Sequence, residues 1–438
     1  MILKKTIFDK QNISIAVFIS AFGAVILASK FEKELSFNVY LLQIIILSAL
    51  YVSLNAINFD LIPKFISPKV LFMVLALYHI LSILLTRLNI VEPYLFWSKF
   101  GFSSMYLNND LLIFGDLAHL TSWASCNIPI EIGSAECDPF FRPSNQNPHV
   151  LSLFRYFDLS NLFVIGLVLI CAFYISTYKL FNHNKSLNFK ILILCISPTI
   201  VMALERNNET LTIMLITLSL RLITQQGLKQ IFGSLLLVAA TFFKFWPILI
   251  VGLILFLNWK VLMLISKLCL LMGVLYWLVY INNFLSMRNY TQNGSYFGGS
   301  FGFQLFFVDK ESNVWFYLLL SVMVIYIAFF RESFNEFKTA SSKSLATLVP
   351  LFSSYIILWL MGVNWSYRLI ILLPTLYFLE NSDLSEKFIK KTSNLIVITM
   401  LTSQLSVTVF VTSFLSIYFG IFIVLNLGLM KKNLFVRN

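Results

Sequence analysis

The chain has 438 residues, of which 58% are hydrophobic and 12% charged, with a mean hydropathy of +0.83, whereas a soluble chain carries about 25% charged residues. This composition predicts an all-α polytopic membrane protein and excludes a soluble enzyme and a disordered scaffold. The net charge of +12 then marks the ends of apolar segments, not a basic face for nucleic acid, so no nucleic-acid partner is expected.

A helix needs about 17–25 apolar residues to cross the hydrocarbon core. In chain order such segments are read at 13–29, 39–57, 70–86, 159–178, 190–204, 210–223, a Pro-broken pair 230–242 and 245–258, then 261–281, 314–330, 345–361, 367–380, 394–411 and 414–430. They predict about 12–14 transmembrane helices in one integral membrane domain over residues 1–438. Several fall short of a full span, which suits helices bordering a water-filled cavity. The first is too long for a typical signal core and lacks a clear small-residue cleavage site, so it is expected to stay as an anchor.

Lys and Arg set the orientation. With residues 1–12 inside, the basic residues divide two to one in favour of that side, which places both termini in the cytoplasm. Residues 87–158 and 282–313 then become outer-face loops. The first is the longest in the chain and gathers Glu92, Asp110, Asp116, His119, Glu131, Glu136, Asp138, Arg142, His149 and Arg155. Between Leu107 and Ala124 apolar residues recur at helical spacing, with Asp116, His119 and Trp123 together on another face, which predicts an amphipathic helix at the membrane surface. Simple solvation of those polar residues is the plainer alternative. Cys126 and Cys137 share this loop, and a disulfide between them would close a short hairpin outside the cytoplasm. A metal site of Cys126, Cys137 and His119 lacks the close Cys pair of the usual zinc spacing, so no metal is expected. Cys171, Cys195 and Cys269 sit in apolar spans as packing residues.

Charges inside or at the ends of spans cost about 2.5–3.5 kcal/mol on insertion and therefore usually face a cavity. Four places carry them: Glu205-Arg206-Asn207-Asn208-Glu209 in a tight outer turn, Lys244 ahead of Pro247, Arg368 in Trp365-Ser366-Tyr367-Arg368 at the start of a span ending in a Leu-Pro break, and Lys267, which can snorkel inward. Arg206, Lys244 and Arg368 fall on the same side as Asp116. Each taken alone also reads as a simple interface marker.

A carboxylate facing cations at a membrane surface suits transfer of a group from a lipid-linked phosphate: the carboxylate takes the proton of an acceptor hydroxyl and the cations stabilise the departing phosphate. The sequence has no P-loop, no dinucleotide glycine fingerprint and no Asp-x-Asp motif, so the donor lipid itself must carry the energy and no cofactor is expected. The Gly-rich stretch 293–302 reads as a flexible loop, a lid or a backbone cradle for phosphate.

The run Ala203-Leu204-Glu205-Arg206-Asn207-Asn208, followed by an apolar helix and Phe243-Lys244-Phe245-Trp246-Pro247, resembles the Glu-Arg-Gly-Asn and Lys-x-x-Pro pair of the polyprenol-phosphate-mannose-dependent mannosyltransferases and their bacterial relatives, members of the GT-C glycosyltransferases. Phe114-Gly115-Asp116-Leu117 looks like the position of the acidic base in that superfamily. Cys137-Asp138-Pro139, Arg142 and Asn145 look like the loop that leads into the following helix, and Tyr367-Arg368-Leu369 with Pro374 looks like a further element. The resemblance spans roughly residues 85–375. The sequence departs from the pattern at Asn207, where glycine is expected, and at Thr210, where an acidic residue is common and Glu209 stands beside it. The acidic loop follows the third span, not the first, which two extra N-terminal helices would explain. A different span count would make Glu32 and Glu34 the competing bases.

The resemblance implies a glycosyltransferase that moves a sugar from a polyprenyl-phosphate donor to an envelope glycan or glycolipid acceptor, inverting the anomeric centre, on the outer face of a bacterial cytoplasmic membrane. The richness in Ile, Phe, Asn and Lys fits an AT-rich bacterial genome. Asp116 is the expected base, with His119 or Asp138 in support. Arg206, Lys244, Arg368 and Arg142 are expected to bind the donor phosphate, and Glu205 and Asn208 to orient Arg206 or the sugar. Two other classes share these features: a surface-polysaccharide polymerase joining lipid-linked oligosaccharides, and a lipid-linked-glycan flippase or transporter, which would put its ionisable residues near the midplane.

Overall fold

The structure is a computed structural model that describes residues 2–28, 37–57, 67–87, 106–107, 110–111, 114–124, 147–154, 162–181, 185–207, 209–258, 261–283, 285, 300–301, 341–360, 364–403, 405 and 408–435. The described chain is all-α apart from two pairs of two-residue antiparallel strands. It packs as two compact units, one of Met1–Pro68, Phe181–Ile200 and Asn293–Asn438, the other of Lys69–Leu180 and Val201–Gln292.

The first unit contains α1 (Ile2–Ala28), α2 (Phe37–Ala56), α7 (Lys185–Cys195), β3 (Ser300–Phe301), α13 (Ser342–Leu360), β4 (Asn364–Trp365), a 3-10 turn at Ser366–Ile371, α14 (Leu372–Glu380), α15 (Glu386–Leu401) and α16 (Thr408–Phe435). Its core is aromatic: Phe352 stacks on Phe419 at 3.8 Å, and Tyr355 stands edge-on to the same ring. Polar groups join the helices inside this core. Tyr355 donates to the Thr412 carbonyl at 3.1 Å, Trp359 to Ser413 at 3.1 Å, and Asn394 of α15 to Asn55 of α2 at 3.1 Å. Lys190 of α7 pairs with Glu380 at the end of α14 and donates to Ser393 of α15 at 2.6 Å. Ser385 caps α15 by accepting from the Phe388 N–H at 3.2 Å, and Glu386 in the first turn suits the positive end of the helix.

The second unit contains most of α3 (Pro68–Arg87), β1 (Tyr106–Leu107), β2 (Asp110–Leu111), α4 (Gly115–Ala124), α5 (Pro148–Phe154), α6 (Leu162–Phe181), most of α8 (Pro198–Arg206), α9 (Glu209–Ile223), α10 (Leu228–Phe243), α11 (Ile248–Asn258) and α12 (Leu264–Val279). α3 and α6 run antiparallel. Phe72 meets Tyr178 at 5.8 Å and His79 meets Tyr174, whose hydroxyl lies 2.7 Å from the imidazole Nδ1. α9 and α10 form a tight hairpin around Gly233, where an added Cβ would sit 2.8 Å from the Ile223 nitrogen. Buried Gln230 ties the ends together, donating to the Ile223 carbonyl at 3.3 Å and accepting from the Met263 N–H at 2.7 Å.

Several expected spans coincide with helices: 70–86 with α3, 210–223 with α9, and 39–57 with α2. Others do not. The span expected at 190–204 is broken into α7 and α8 at Ile196-Ser197, because Pro198 disfavours helical geometry in the residue before it and has no N–H to donate. The boundary expected near 411–414 falls instead between the end of α15 at Leu401 and the start of α16 at Thr408, where the Thr402 hydroxyl donates to the Ile398 carbonyl in the last turn of α15 and the Thr408 hydroxyl to the Thr402 carbonyl. Pro374 does not break its span: it occupies the first turn of α14, where a missing N–H costs no helical bond. The surface helix expected over 107–124 begins only at Gly115, and its first part is the β1–β2 pair. Trp123, expected on a polar face, is fully buried. The span expected at 314–330 lies outside the described residues.

Among the described residues, one helix is long and apolar enough to cross a membrane, Thr408–Asn426, and the bent pair Leu187–Cys195 and Pro198–Leu204 passes the same test jointly. Shorter apolar helices cover Asn12–Val25, Leu41–Ala56, Lys69–Leu85, Phe163–Lys179, Leu228–Phe243, Ile248–Leu257, Leu264–Val279 and Ser344–Leu360. Buried hydroxyls and exposed apolar side chains occur together in these helices and in α9. Thr210, Thr212, Ser219, Ser234 and Thr241 are fully or almost fully buried, while Val70, Met73, Val74, Leu77 and Leu81 form an exposed stripe along α3.

Candidate functional site

The turn between α8 and α9 places opposite charges at the helix ends that favour them. Arg206 is the last residue of α8, near the negative end of its dipole, and Glu209 is the first of α9, near the positive end. Both are buried. Between them Asn207 adopts φ 56°, the left-handed region that glycine enters freely and asparagine tolerates better than other residues. Its N–H closes α8 on the Ala203 carbonyl at 2.8 Å. The departure from the glycine pattern is therefore conformationally tolerated, and the side chain adds contacts of its own: Nδ2 donates to the Gly166 carbonyl at 2.8 Å, and Oδ1 accepts from the Thr210 hydroxyl at 3.1 Å.

Gly166 joins this turn to the segment carrying Asp116. The Phe114 ring lies over Gly166 so closely that an added Cβ would come within 2.1 Å of a ring carbon. Phe114 is fully buried and itself has φ 63°, an uncommon backbone state for a bulky residue, held here by the packing around its ring. Gly115 then starts α4, so Asp116 is the second residue of the helix and His119 stands one turn further on. The side chains of Asp116, His119 and Glu205 are not among those the structure describes, and Asn208, Asp138, Arg142, Cys126 and Cys137 lie outside the described residues.

Lys244 ends α10 in extended geometry, with its N–H on the Ala240 carbonyl at 3.1 Å. Pro247 opens α11 and fixes the kink. The break carries the ammonium to the turn: Nζ stands 3.7 Å from Glu209 Oε1, with the carboxylate buried and the lysine 17% exposed. At that distance the pair attracts electrostatically without a hydrogen bond, and Lys244 makes no other polar contact among the described residues. Nearby, Phe245 stands edge-on to Trp277 of α12 at 4.9 Å.

The structure thus brings Lys244 to Glu209, three residues after Arg206, and binds Asn207 to Gly166 beneath Phe114. Arg368 belongs to the first unit, half-buried in the 3-10 turn that follows β4. There β4 pairs with β3, Ser300 opposite Trp365 and Phe301 opposite Asn364, so part of the Gly-rich stretch is held as a strand. Sequence reasoning named Asn207, Glu209 and Phe114 only as parts or neighbours of motifs, without a role, and did not single out Gly166. For the first two a signal existed: asparagine directly after a helix-ending Arg is a C-terminal stop, and an acid directly before an apolar run is a helix start. Gly166 and Phe114 gave none, because their pairing is tertiary.

Glu205 and Glu209 balance Arg206 and Lys244 in formal charge, but the Lys244 ammonium has donors to spare, which suits an anionic oxygen such as that of a phosphate. Comparison of the chain with protein-family models, with curated proteins and with solved structures gives no match.

Proposed function

We propose that the protein is a polytopic membrane glycosyltransferase of GT-C type, moving a sugar from a polyprenyl-phosphate donor to a glycan or glycolipid acceptor on the outer face of a bacterial cytoplasmic membrane. The observation that carries this reading is the Lys244–Glu209 pair beside Arg206. In the reaction the acceptor oxygen attacks the anomeric carbon, the bond from that carbon to the phosphate oxygen breaks, and its electron pair leaves on the polyprenyl phosphate. Asp116 takes the acceptor proton. Arg206 and Lys244 stabilise the charge that grows on the phosphate, with Glu209 holding Lys244 and Glu205 orienting Arg206. Arg368, Arg142, Asp138, His119 and Asn208 are further candidates, each to be judged by its own variant.

Two features support the membrane part. Apolar stripes exposed on the outside, with hydroxyl-bearing residues among those buried inside, are what lipid tolerates and water penalises. Topology supplies the second. Segments assigned by charge to the cytoplasmic side meet one another: Asp383 binds Ser341 and Ser344, and Lys190 binds Glu380 and Ser393. Segments assigned to the outer side also meet one another: Glu209 with Lys244, Asn207 with Gly166 at the outer end of its span, and Ser300 with Trp365.

The test is sugar transfer by purified protein from a panel of polyprenyl-phosphate monosaccharides, wild type beside Lys244→Met and Asp116→Asn. Transfer by the wild type that both variants lose is the expected result. Transfer surviving Asp116→Asn moves the base to another outer-face carboxylate. Inert single-sugar donors alongside active lipid-linked oligosaccharides would replace the reading with the polymerase.

A further inference from the structure

The outer-side end of α12 carries an aromatic group that the phosphate chemistry leaves unused. Tyr276 and Tyr280 lie 4.7 Å apart, Phe242 of α10 stands edge-on to Tyr276 at 4.7 Å, and His149 of α5 meets the two tyrosines at 5.6 and 5.3 Å. His149 is exposed, and the other three rings are partly so. Beneath them sits Asn147, only 6% exposed. Its Oδ1 accepts twice, from the His149 N–H at 3.0 Å and from the Tyr276 hydroxyl at 3.2 Å.

Those two bonds fix which way the amide faces, so Nδ2 is the donor left over. It has no hydrogen-bond partner among the described residues. Capping α5 does not require it: aspartate or serine would accept the same His149 N–H without burying a spare donor. A buried amide N–H without an acceptor costs about 1–3 kcal/mol, and a ligand oxygen would remove that penalty. Open aromatic faces beside a committed amide donor match a ring that offers C–H groups on one side and hydroxyl oxygens at its edge, which is the chemistry of a sugar. Among the described residues the cluster contains no lysine or arginine, which favours an uncharged ligand over a phosphate. Phe242 lies two residues before Lys244, and Trp277 touches Phe245, so the cluster occupies the same end of α10 and α12 as the phosphate-binding lysine.

We propose that Asn147, His149, Tyr276 and Tyr280 form an uncharged subsite for a sugar ring of the acceptor, with the Asn147 amide donating to a hydroxyl and the tyrosines stacking on the ring. The acceptor role rests on the transferase reading; the binding of a sugar does not.

The test uses the full chain in lipid nanodiscs and saturation-transfer NMR with methyl glycosides of mannose, glucose, galactose and N-acetylglucosamine. Asn147→Asp keeps both accepted bonds and the helix cap while removing the donor. Tyr280→Ala removes a partly exposed ring face, and Tyr280→Phe restores it. At least one glycoside is expected to bind saturably, about tenfold more weakly in Asn147→Asp and in Tyr280→Ala, with Tyr280→Phe near wild type. In transfer assays the acceptor KM should rise in the same variants and the donor KM stay fixed. Equal binding by all variants, no saturable binding of any glycoside, or displacement by glycerol phosphate, the mark of a lipid-headgroup site, would overturn the subsite. Glycoside binding with the expected losses but no donor turnover sinks the transferase and keeps the subsite; turnover with an unchanged acceptor KM in Asn147→Asp does the reverse.

Discussion

Two lysine–glutamate pairs, one in each unit, are built from the same residue types to opposite ends. Lys190 and Glu380 are 3% and 6% exposed and in direct contact, and Ser393 takes a second donor of the ammonium. Lys244 and Glu209 stand 3.7 Å apart, with only the carboxylate fully withdrawn from solvent. In the first pair both charges are desolvated, and each depends on the other for compensation. In the second the buried acid orients a cation whose hydrogen-bonding capacity stays open. A closed pair holds helices together, whereas an open pair with a third charge beside it can hold a ligand.

The largest effect that separates the two follows from deleting each lysine. Lys190→Met leaves the Glu380 carboxylate buried without its cation and is expected to destabilise the fold by about 3–5 kcal/mol, read by denaturant unfolding of the purified protein. Lys244→Met leaves Glu209 buried but at the favourable end of α9, and the longer contact to a partly exposed lysine contributes less, so its stability should fall by less than that of Lys190→Met. Its sugar transfer should instead fall by about a hundredfold to a thousandfold. A stability loss in Lys244→Met matching that of Lys190→Met would erase the distinction.

Next in size is the contact beneath the Asp116 helix. Gly166→Ala drives a methyl into the Phe114 ring and should cost about 1–3 kcal/mol by overpacking. Because Phe114 immediately precedes α4, transfer should fall as well. Adding Phe114→Leu makes room and should recover part of both losses, so a double variant no better than the single one would break the proposed link. At Asn207 two substitutions isolate backbone from side chain. Asn207→Gly keeps the left-handed turn and loses only the bonds to Gly166 and Thr210, while Asn207→Ala adds about 1–2 kcal/mol of backbone strain. Alanine should therefore melt below glycine; equal melting temperatures would show that the side-chain bonds, and not φ, select asparagine.

How much of this was legible in the sequence divides along the same line. Helices such as α3 and α9 were readable because long apolar runs bounded by basic residues have few other solutions. Lys244 was also readable, since a cation between aromatics and a proline has no ordinary place in an apolar span. The broken span at Ile196-Ser197 was missed although Ser197-Pro198 announces it, because summed hydropathy is insensitive to a single backbone group. The closed pair was beyond sequence reasoning altogether. Lys190 reads as one more inner-side positive charge until Glu380, 190 residues away, is brought to it. Glu209 read as a neighbour of the motif until the kink at Pro247 delivered Lys244.

The smallest expected effect concerns a third carboxylate, which has hydroxyl and backbone partners where the two pairs have ammonium groups. Asp383, exposed in the turn between α14 and α15, accepts from the Ser344 hydroxyl and from the Ser341 N–H at 3.1 Å, so it ties that turn to the start of α13. Burial raises its pKa, but these hydrogen bonds outweigh it and hold the carboxyl below its ordinary value. A carboxyl whose folded pKa is depressed contributes stability that is present above its unfolded pKa of about 3.9 and is lost as pH falls through the folded value. Thermal unfolding should therefore show Ser344→Ala slightly less stable than wild type at pH 6, with the gap closing below about pH 4. A gap that persists in acid would mean that the Ser344 hydroxyl acts through the helix start alone and not through the Asp383 charge.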